Sequence, residues 1–192
     1  MNQPGAAREP AQAWPPELLL RAQGVRVAIF DVDGVLTDGG LLYGEQGETL
    51  KRFSTLDGLG LKLLRQAGIE PVVISGRDCP ALRARLAALA LTQAALGTDD
   101  KLPAAEKILA GLQAGWAQTA VIGDDWPDLP LFVRAAFACA PANAHAEARA
   151  RAHYVTAARG GEGAAREFCD LLLTAAGRYR ALLDGYTAAP AS

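Results

Sequence analysis

An acidic turn, Asp31-Val32-Asp33-Gly34, follows directly on the apolar run Val25-Arg26-Val27-Ala28-Ile29-Phe30 in this chain of 192 residues. The run reads as a buried strand, so two carboxylates fall together at its end, where uncompensated charge is costly. Their natural partner is a hard divalent cation such as Mg²⁺, which takes oxygen ligands and keeps several waters. A Ca²⁺ loop is excluded, because no Glu follows at the required offset and no helix precedes the turn.

The same design recurs along the chain. Glu70–Ile74 reads as a strand ending in Ser75-Gly76-Arg77, and Thr119–Ile122 as one ending in Gly123-Asp124-Asp125. Further strands are expected at Ala94–Leu96, Phe137–Ala140 and Tyr154–Thr156. Helical segments fall between them: one stopped by Gly68, then Pro80–Leu91, Lys101–Leu112, Asp128–Ala135, His145–Ala152 and Ala164–Ala176. Alternation of this kind predicts an α/β fold, a doubly wound and mostly parallel Rossmann-like sheet. In such sheets ligands bind beyond the C-terminal strand ends, at a topological switch point, which is where all three polar motifs fall. Leu41–Tyr43 and Thr49–Ser54, joined by Gly44-Glu45-Gln46-Gly47, predict a small inserted β-hairpin.

Nineteen basic against twenty-one acidic residues leave a net charge of −2, and no basic stripe points to nucleic acid. No apolar run approaches a membrane span, and the N-terminus lacks a secretory pattern. Cys79, Cys139 and Cys169 are widely spaced and match no metal or redox motif, as expected of reduced thiols in a cytoplasmic protein. Residues 1–16 are expected to form a disordered tail, residues 17–177 one domain, and residues 178–192 a C-terminal tail. His145 and His153 lie away from every motif and read as structural.

The chemistry follows from the residue types. Asp31 is placed to attack a phosphoryl group and form an aspartyl-phosphate. Two anions must then meet, so Mg²⁺ held by Asp31, the Asp33 carbonyl and Asp124 would supply the neutralising charge. Asp33 can protonate the leaving alcohol and then activate water. Ser75 and the amides about Gly76 can bind phosphate oxygens. Lys101 stands at a helix start, where the macrodipole disfavours a cation unless an anion lies within reach. Asp128 sits behind Asp124, Asp125 is a further acid of that turn, and Arg77 is a candidate for touching substrate.

Together, Asp31-x-Asp33-Gly-Val-x-Thr37-Asp38, Ser75-Gly76-Arg77, Lys101 and Gly123-Asp124-Asp125-x-x-Asp128 resemble the four motifs of the haloacid dehalogenase superfamily. Thr37-Asp38-Gly39, the hairpin, Asp57-Gly58-Leu59-Gly60 and Gly160-Gly161-x-Gly163-Ala164-x-Arg166-Glu167 resemble its capless branch, which acts on 3-deoxy-D-manno-octulosonate 8-phosphate (KDO 8-phosphate). The resemblance implies a Mg²⁺-dependent phosphatase of lipopolysaccharide precursor synthesis. It also implies a homotetramer in which a neighbouring subunit covers the site, with Thr37, Asp38 and Arg166 near substrate. Some twenty residues separate the first motif from the next helix, and a similar stretch separates Arg77 from Lys101, too little for a cap domain of roughly 50 residues. Two alternatives remain open: a phosphatase for another sugar acid such as KDN 9-phosphate, and a non-catalytic tetramerising module. Leu56 bears on the first, since many relatives carry an Arg directly before Asp57-Gly58.

Overall fold

The structure is a computed structural model that describes residues 12–45 and 47–188. Its main sheet has six strands: β1 (Val27–Phe30), β4 (Glu70–Ser75), β5 (Ala94–Leu96), β6 (Thr119–Ile122), β7 (Phe137–Ala140) and β8 (Tyr154–Val155). They lie in the order β5-β4-β1-β6-β7-β8, and every neighbouring pair is parallel. A separate antiparallel pair, β2 (Leu42–Gly44) and β3 (Gly47–Leu50), forms the expected hairpin.

After β1 the chain moves to one side for β4 and β5, then crosses back to the other for β6, β7 and β8. That reversal puts the switch point at β1, flanked by β4 and β6, whose C-terminal ends carry the three polar motifs.

Strand periodicity splits the core into two layers. Ala28 and Phe30 pack into one, Val27 and Ile29 into the other, as alternation across a strand requires. The first layer is covered by α1 (Pro16–Ala22), α2 (Thr55–Gln66), α3 (Pro80–Ala88) and α7 (Ala164–Ala175). Here Phe30 meets Phe168 edge to face at 5.4 Å. The second layer lies under α4 (Lys101–Gly111), α5 (Leu129–Arg134) and α6 (Ala146–Arg151).

Both expected tails are partly structured. Trp14 is buried against the first layer, so the ordered body starts earlier than expected; α1 begins at Pro16, where a proline is tolerated in the first turn of a helix. Residues 1–11 of the expected N-terminal tail lie outside the described residues. At the other end α8 (Tyr179–Thr187) packs on α7 through Tyr179 and Leu182, where a tail was expected. No helix among the described residues is long and apolar enough to cross a membrane. The three cysteines are buried and unpaired.

Candidate active site

Where β1 ends, the Asp31 amide still donates to Ile122 O (3.1 Å), which fixes the first residue of the turn against β6. Beyond it, Leu36 N and Thr37 N both donate to Val32 O (2.9 and 3.0 Å), closing a tight loop. Gly34 at its apex has φ +94°, a conformation that glycine adopts without strain. A Cβ there would collide with the Asp124 carboxylate, so the bare glycine is also what lets Asp124 approach the loop.

Lys101 organises the acids. Its Nζ lies 2.6 Å from Asp31 Oδ1 and 2.7 Å from Asp128 Oδ1, with all three side chains nearly inaccessible. This contact explains a cation at the first position of α4. Asp128 Oδ2 accepts the backbone N–H groups of Asp124 (2.9 Å) and Asp125 (3.3 Å). Both oxygens of Asp128 are therefore engaged, and it acts as a brace for the β6 turn. Gly123 leaves room for this brace, because a Cβ there would strike the Asp128 carboxyl group.

Asp31, Asp124 and Asp128 can each bring one oxygen within 4.8 Å of the others. Burial, and then the charge of Asp128, pushes the Asp31 carboxyl up despite Lys101. Burial together with Asp31 and Asp128 pushes Asp124 up as well. One ammonium does not balance three clustered acids. With Asp128 engaged by Lys101 and the backbone, Asp31 and Asp124 are the carboxylates left to hold a hard divalent cation, and the all-oxygen donor set fits Mg²⁺.

The rest of the cleft, about 290 Å³, is lined by Asp33, Ser75, Gly76, Arg77, Asp99, Asp125 and Pro127 as well as these acids. Ser75 is buried, and its Oγ accepts from Arg77 N (3.1 Å), which shapes the turn after β4. Asp125 accepts from Trp126 N through Oδ1 (2.8 Å) and caps the 3₁₀ turn Trp126–Asp128. Asp33 turns one oxygen to Lys51 of the hairpin segment, and its Oδ2 lies 3.9 Å from Arg77 Nε.

Three residues expected near substrate take other positions within this chain. Thr37 is buried and ties the loop together, with Oγ1 accepting from Gly39 N (3.2 Å) and Gly34 N (3.4 Å). Asp38 accepts from Gly40 N (2.9 Å) and lies 3.3 Å from Arg52, outside the cleft. Arg166 pairs with Asp170 (2.8 Å) and lines a separate apolar cavity of about 170 Å³ between α2, α7 and α8. Its neighbour Glu167 accepts from Tyr154 Oη (2.5 Å), Ala157 N and Ala158 N (both 3.0 Å), anchoring α7 to the β8 segment.

Lys51 and Glu48 were not assigned from the sequence, although Lys51 touches Asp33. Asp99 also lines the cleft. Their signal was proximity in sequence: Asp99 precedes Lys101 by two residues, and Lys51 ends the hairpin that follows the acidic loop. His145 and His153 serve structure: His145 caps α6 through Glu147 N (3.1 Å), and His153 Nδ1 accepts from Ala138 N (2.9 Å).

A parallel switch-point sheet with this acid and lysine cluster defines a class, and comparison with known proteins gives the same class. The family of haloacid dehalogenase-like hydrolases matches residues 97–168. The 3-deoxy-D-manno-octulosonate 8-phosphate phosphatase of Yersinia pestis is 42% identical over 159 residues, 83% of this chain and 85% of that protein. A solved structure of a probable YrbI family phosphatase from Pseudomonas syringae superposes with a TM-score of 0.88 at 44% identity, covering 91% of this chain and 99% of that one. The Moraxella catarrhalis 3-deoxy-D-manno-octulosonate 8-phosphate phosphatase, solved with magnesium, phosphate and KDO, gives 0.85 at 35% identity, covering 88% and 98%. The chain belongs to the haloacid dehalogenase superfamily, in the capless branch of the KDO 8-phosphate phosphatases.

Proposed function

We propose that this protein is a Mg²⁺-dependent phosphatase that hydrolyses KDO 8-phosphate to KDO and inorganic phosphate, in lipopolysaccharide precursor synthesis. The observation that carries the reading is Lys101 clamped between Asp31 and Asp128 beside Asp124, in a chain 42% identical to such an enzyme.

The residues divide the reaction as follows. An Asp31 oxygen forms a bond to phosphorus while the ester P–O bond breaks, giving an aspartyl-phosphate. Lys101, its side chain buried beside Asp31, offsets the negative charge gathered there. Ser75 Oγ–H and the Gly76 amide hold phosphoryl oxygens. Asp33 gives its proton to the leaving sugar oxygen, then takes one from the water that cleaves the acyl-phosphate. Mg²⁺, held by Asp31, Asp124 and the Asp33 carbonyl, would supply Lewis-acid charge neutralisation.

Among the described residues the only insert beside the cleft is the β2–β3 hairpin, and no cap domain covers it. The hairpin exposes Leu42, Tyr43 and Leu50 beside it. Such an apolar edge favours association, and we assign it to a homotetramer in which a neighbouring subunit covers the site. The three unpaired, buried cysteines favour the cytoplasm. We assign one catalytic domain to residues 17–177, a reading supported by the continuous sheet and extended by the packing of Trp14 at one end and α8 at the other.

Phosphate release with Mg²⁺, then with EDTA, tests the reading on KDO 8-phosphate, KDN 9-phosphate and hexose phosphates. A preference of several hundredfold for KDO 8-phosphate, abolished by EDTA, is expected. Metal-dependent release without that preference would move the assignment to another sugar acid, a reading that Leu56, exposed on the first turn of α2, keeps in play. No release from any ester would leave the non-catalytic module.

A further inference from the structure

Lys51 follows β3 directly, on a hairpin whose Leu42, Tyr43 and Leu50 face outward, yet its own side chain is only 1% exposed. Lysines at such places ordinarily keep the ammonium group in water. This one is turned inward onto Asp33 Oδ1, with Glu48 Oε1 2.6 Å away on its other side. Burying an ammonium is tolerated only when it is paired, and these two carboxylates are the pair. The second oxygen of Asp33 faces the turn after β4, where Arg77 Nε stands at 3.9 Å. Arg77 Nη1 lies equally far, 3.9 Å, from Glu48 Oε2. Asp33 is thus held from the hairpin through Oδ1, and Oδ2 is the oxygen left for the cleft.

We propose that Lys51 is a positioning residue: it fixes the Asp33 carboxyl group so that Oδ2 meets the departing ester oxygen, which makes the hairpin part of the catalytic apparatus. The inference rests on the assignment of Asp33 as proton donor. When the Asp31–phosphorus bond forms and the ester P–O bond breaks, the electron pair departs on the ester oxygen and takes the Asp33 proton. Lys51 stays protonated throughout and offsets the charge left on Asp33. Glu48 keeps Lys51 in place while Asp33 is neutral. The water that later attacks the aspartyl-phosphate gives a proton to Asp33 as its oxygen bonds phosphorus; the Asp31 oxygen–phosphorus bond breaks, and phosphate leaves with the Asp31 carboxylate restored.

A positioning role differs from a structural one in its dependence on the leaving group. A proton donor matters greatly for an alkoxide and little for a nitrophenolate, which departs unaided. The full-length Mg²⁺-loaded protein would be assayed for kcat/KM on KDO 8-phosphate, glycerol phosphate, phenyl phosphate and p-nitrophenyl phosphate, as wild type, Asp33→Asn, Lys51→Met and Lys51→Arg. Lys51→Met is expected to lose roughly a hundredfold on both alkyl esters and tenfold or less on p-nitrophenyl phosphate, within the range that general acid catalysis contributes. Asp33→Asn should show the same ordering, and Lys51→Arg should recover most of the loss. Should Lys51→Met not fold, as judged by circular dichroism, Lys51→Gln drops the charge, keeps a donor, and is expected to give the same ordering with a smaller spread.

An equal loss across the series would reduce Lys51 to a structural residue. A loss confined to KDO 8-phosphate, sparing glycerol phosphate, would make it a substrate contact, and no loss would dismiss it; each overturns the inference while Asp33→Asn still shows the leaving-group dependence. If Asp33→Asn shows none, the assignment of Asp33 fails and the inference falls with it.

Discussion

Lys101 Nζ lies 2.6 Å from Asp31 Oδ1, although seventy positions separate them in sequence. The same ammonium reaches Asp128 Oδ1 at 2.7 Å, so one cation joins the ends of β1 and β6. Burial alone would lower its pKa; Asp128 and Asp31 more than reverse that, and Lys101 stays charged. Lys101→Met keeps the aliphatic stem and removes this charge. Activity is expected to fall by about 100-fold or more, the scale found when one preorganised charge-stabilising group is lost. Steady-state phosphate release checks the activity. Thermal unfolding without metal should also show a lower Tm, because three clustered acids then face one another unopposed.

How much of this was legible in the sequence depends on whether a signal was local. Apolar runs ending in polar turns, acidic after β1 and β6 and Ser75-Gly76-Arg77 after β4, located these strands and, through them, the cleft, because parallel strands bury both faces and cannot alternate. Strands Ala94–Leu96, Thr119–Ile122 and Phe137–Ala140 took the expected limits. The helix α8 had a local signal that the expected tail left out: Tyr179, Leu182, Leu183 and Tyr186 stand at i, i+3, i+4 and i+7, one helical face, which the fold sets beside Leu59, Leu63 and Leu173. Arg166 pointed elsewhere for a related reason. On a helix, one or two positions of phase decide which face a side chain takes, and Asp170 four residues on was the local sign that Arg166 had a partner of its own. Lys51 shows the reverse. A hairpin beside solvent suggests an exposed lysine, and only the fold brings it against Asp33.

Metal binding should appear as stability. Asp31 and Asp124 repel each other without a cation, and a ligand that binds only the folded chain stabilises it by mass action. At one hundred times Kd, Mg²⁺ would contribute about 2.7 kcal/mol, or a Tm rise of about 5–10 °C for a chain of this size. Differential scanning fluorimetry reads this directly. Asp124→Asn is expected to raise the metal-free Tm slightly, since it removes one of the crowded acids, and to abolish the Mg²⁺ response. A variant that kept the full response would remove Asp124 from the metal site.

Gly160 explains in physical terms why the tail after β8 is rich in glycine. A Cβ at this position would fall on the Gly34 carbonyl oxygen and crowd Thr37 O, so the tail lies against the back of the acidic loop. Its N–H donates to Asn143 Oδ1 (2.8 Å), and Gly161 N donates to Val35 O (2.9 Å). Gly160→Ala must push two backbones apart. A stability loss of about 1–3 kcal/mol is expected from the overpacking. Because the displaced segment carries Asp33 and Gly34, activity should fall further than stability explains. Chemical denaturation and phosphate release on the same preparation separate the two effects.

Asp57, in the first turn of α2, gives the fold a pH dependence of its own. Its Oδ1 accepts from Arg166 N (2.8 Å), while Oδ2 is buried without a hydrogen-bond partner. Burial raises its pKa from 3.8 to about 6, against the pull of the Arg166 and Gly163 backbone N–H groups and of the Arg85 and Arg166 charges. The folded state therefore holds this proton more tightly than the unfolded chain does. Between pH 4 and 6 the unfolded chain has released it and the folded chain has not, so this group's contribution to stability falls as pH rises through that window. A rise from 3.8 to about 6 corresponds to about 3 kcal/mol, most of it lost once the pH passes 6. Asp57→Asn keeps the acceptor for Arg166 N and cannot ionise. Denaturant unfolding should show that the stability at pH 4.5 minus that at pH 7.0 is lower in the variant than in the wild type by about one to two kcal/mol, part of the full effect. An unchanged difference would mean that Asp57 does not retain its proton in the folded protein.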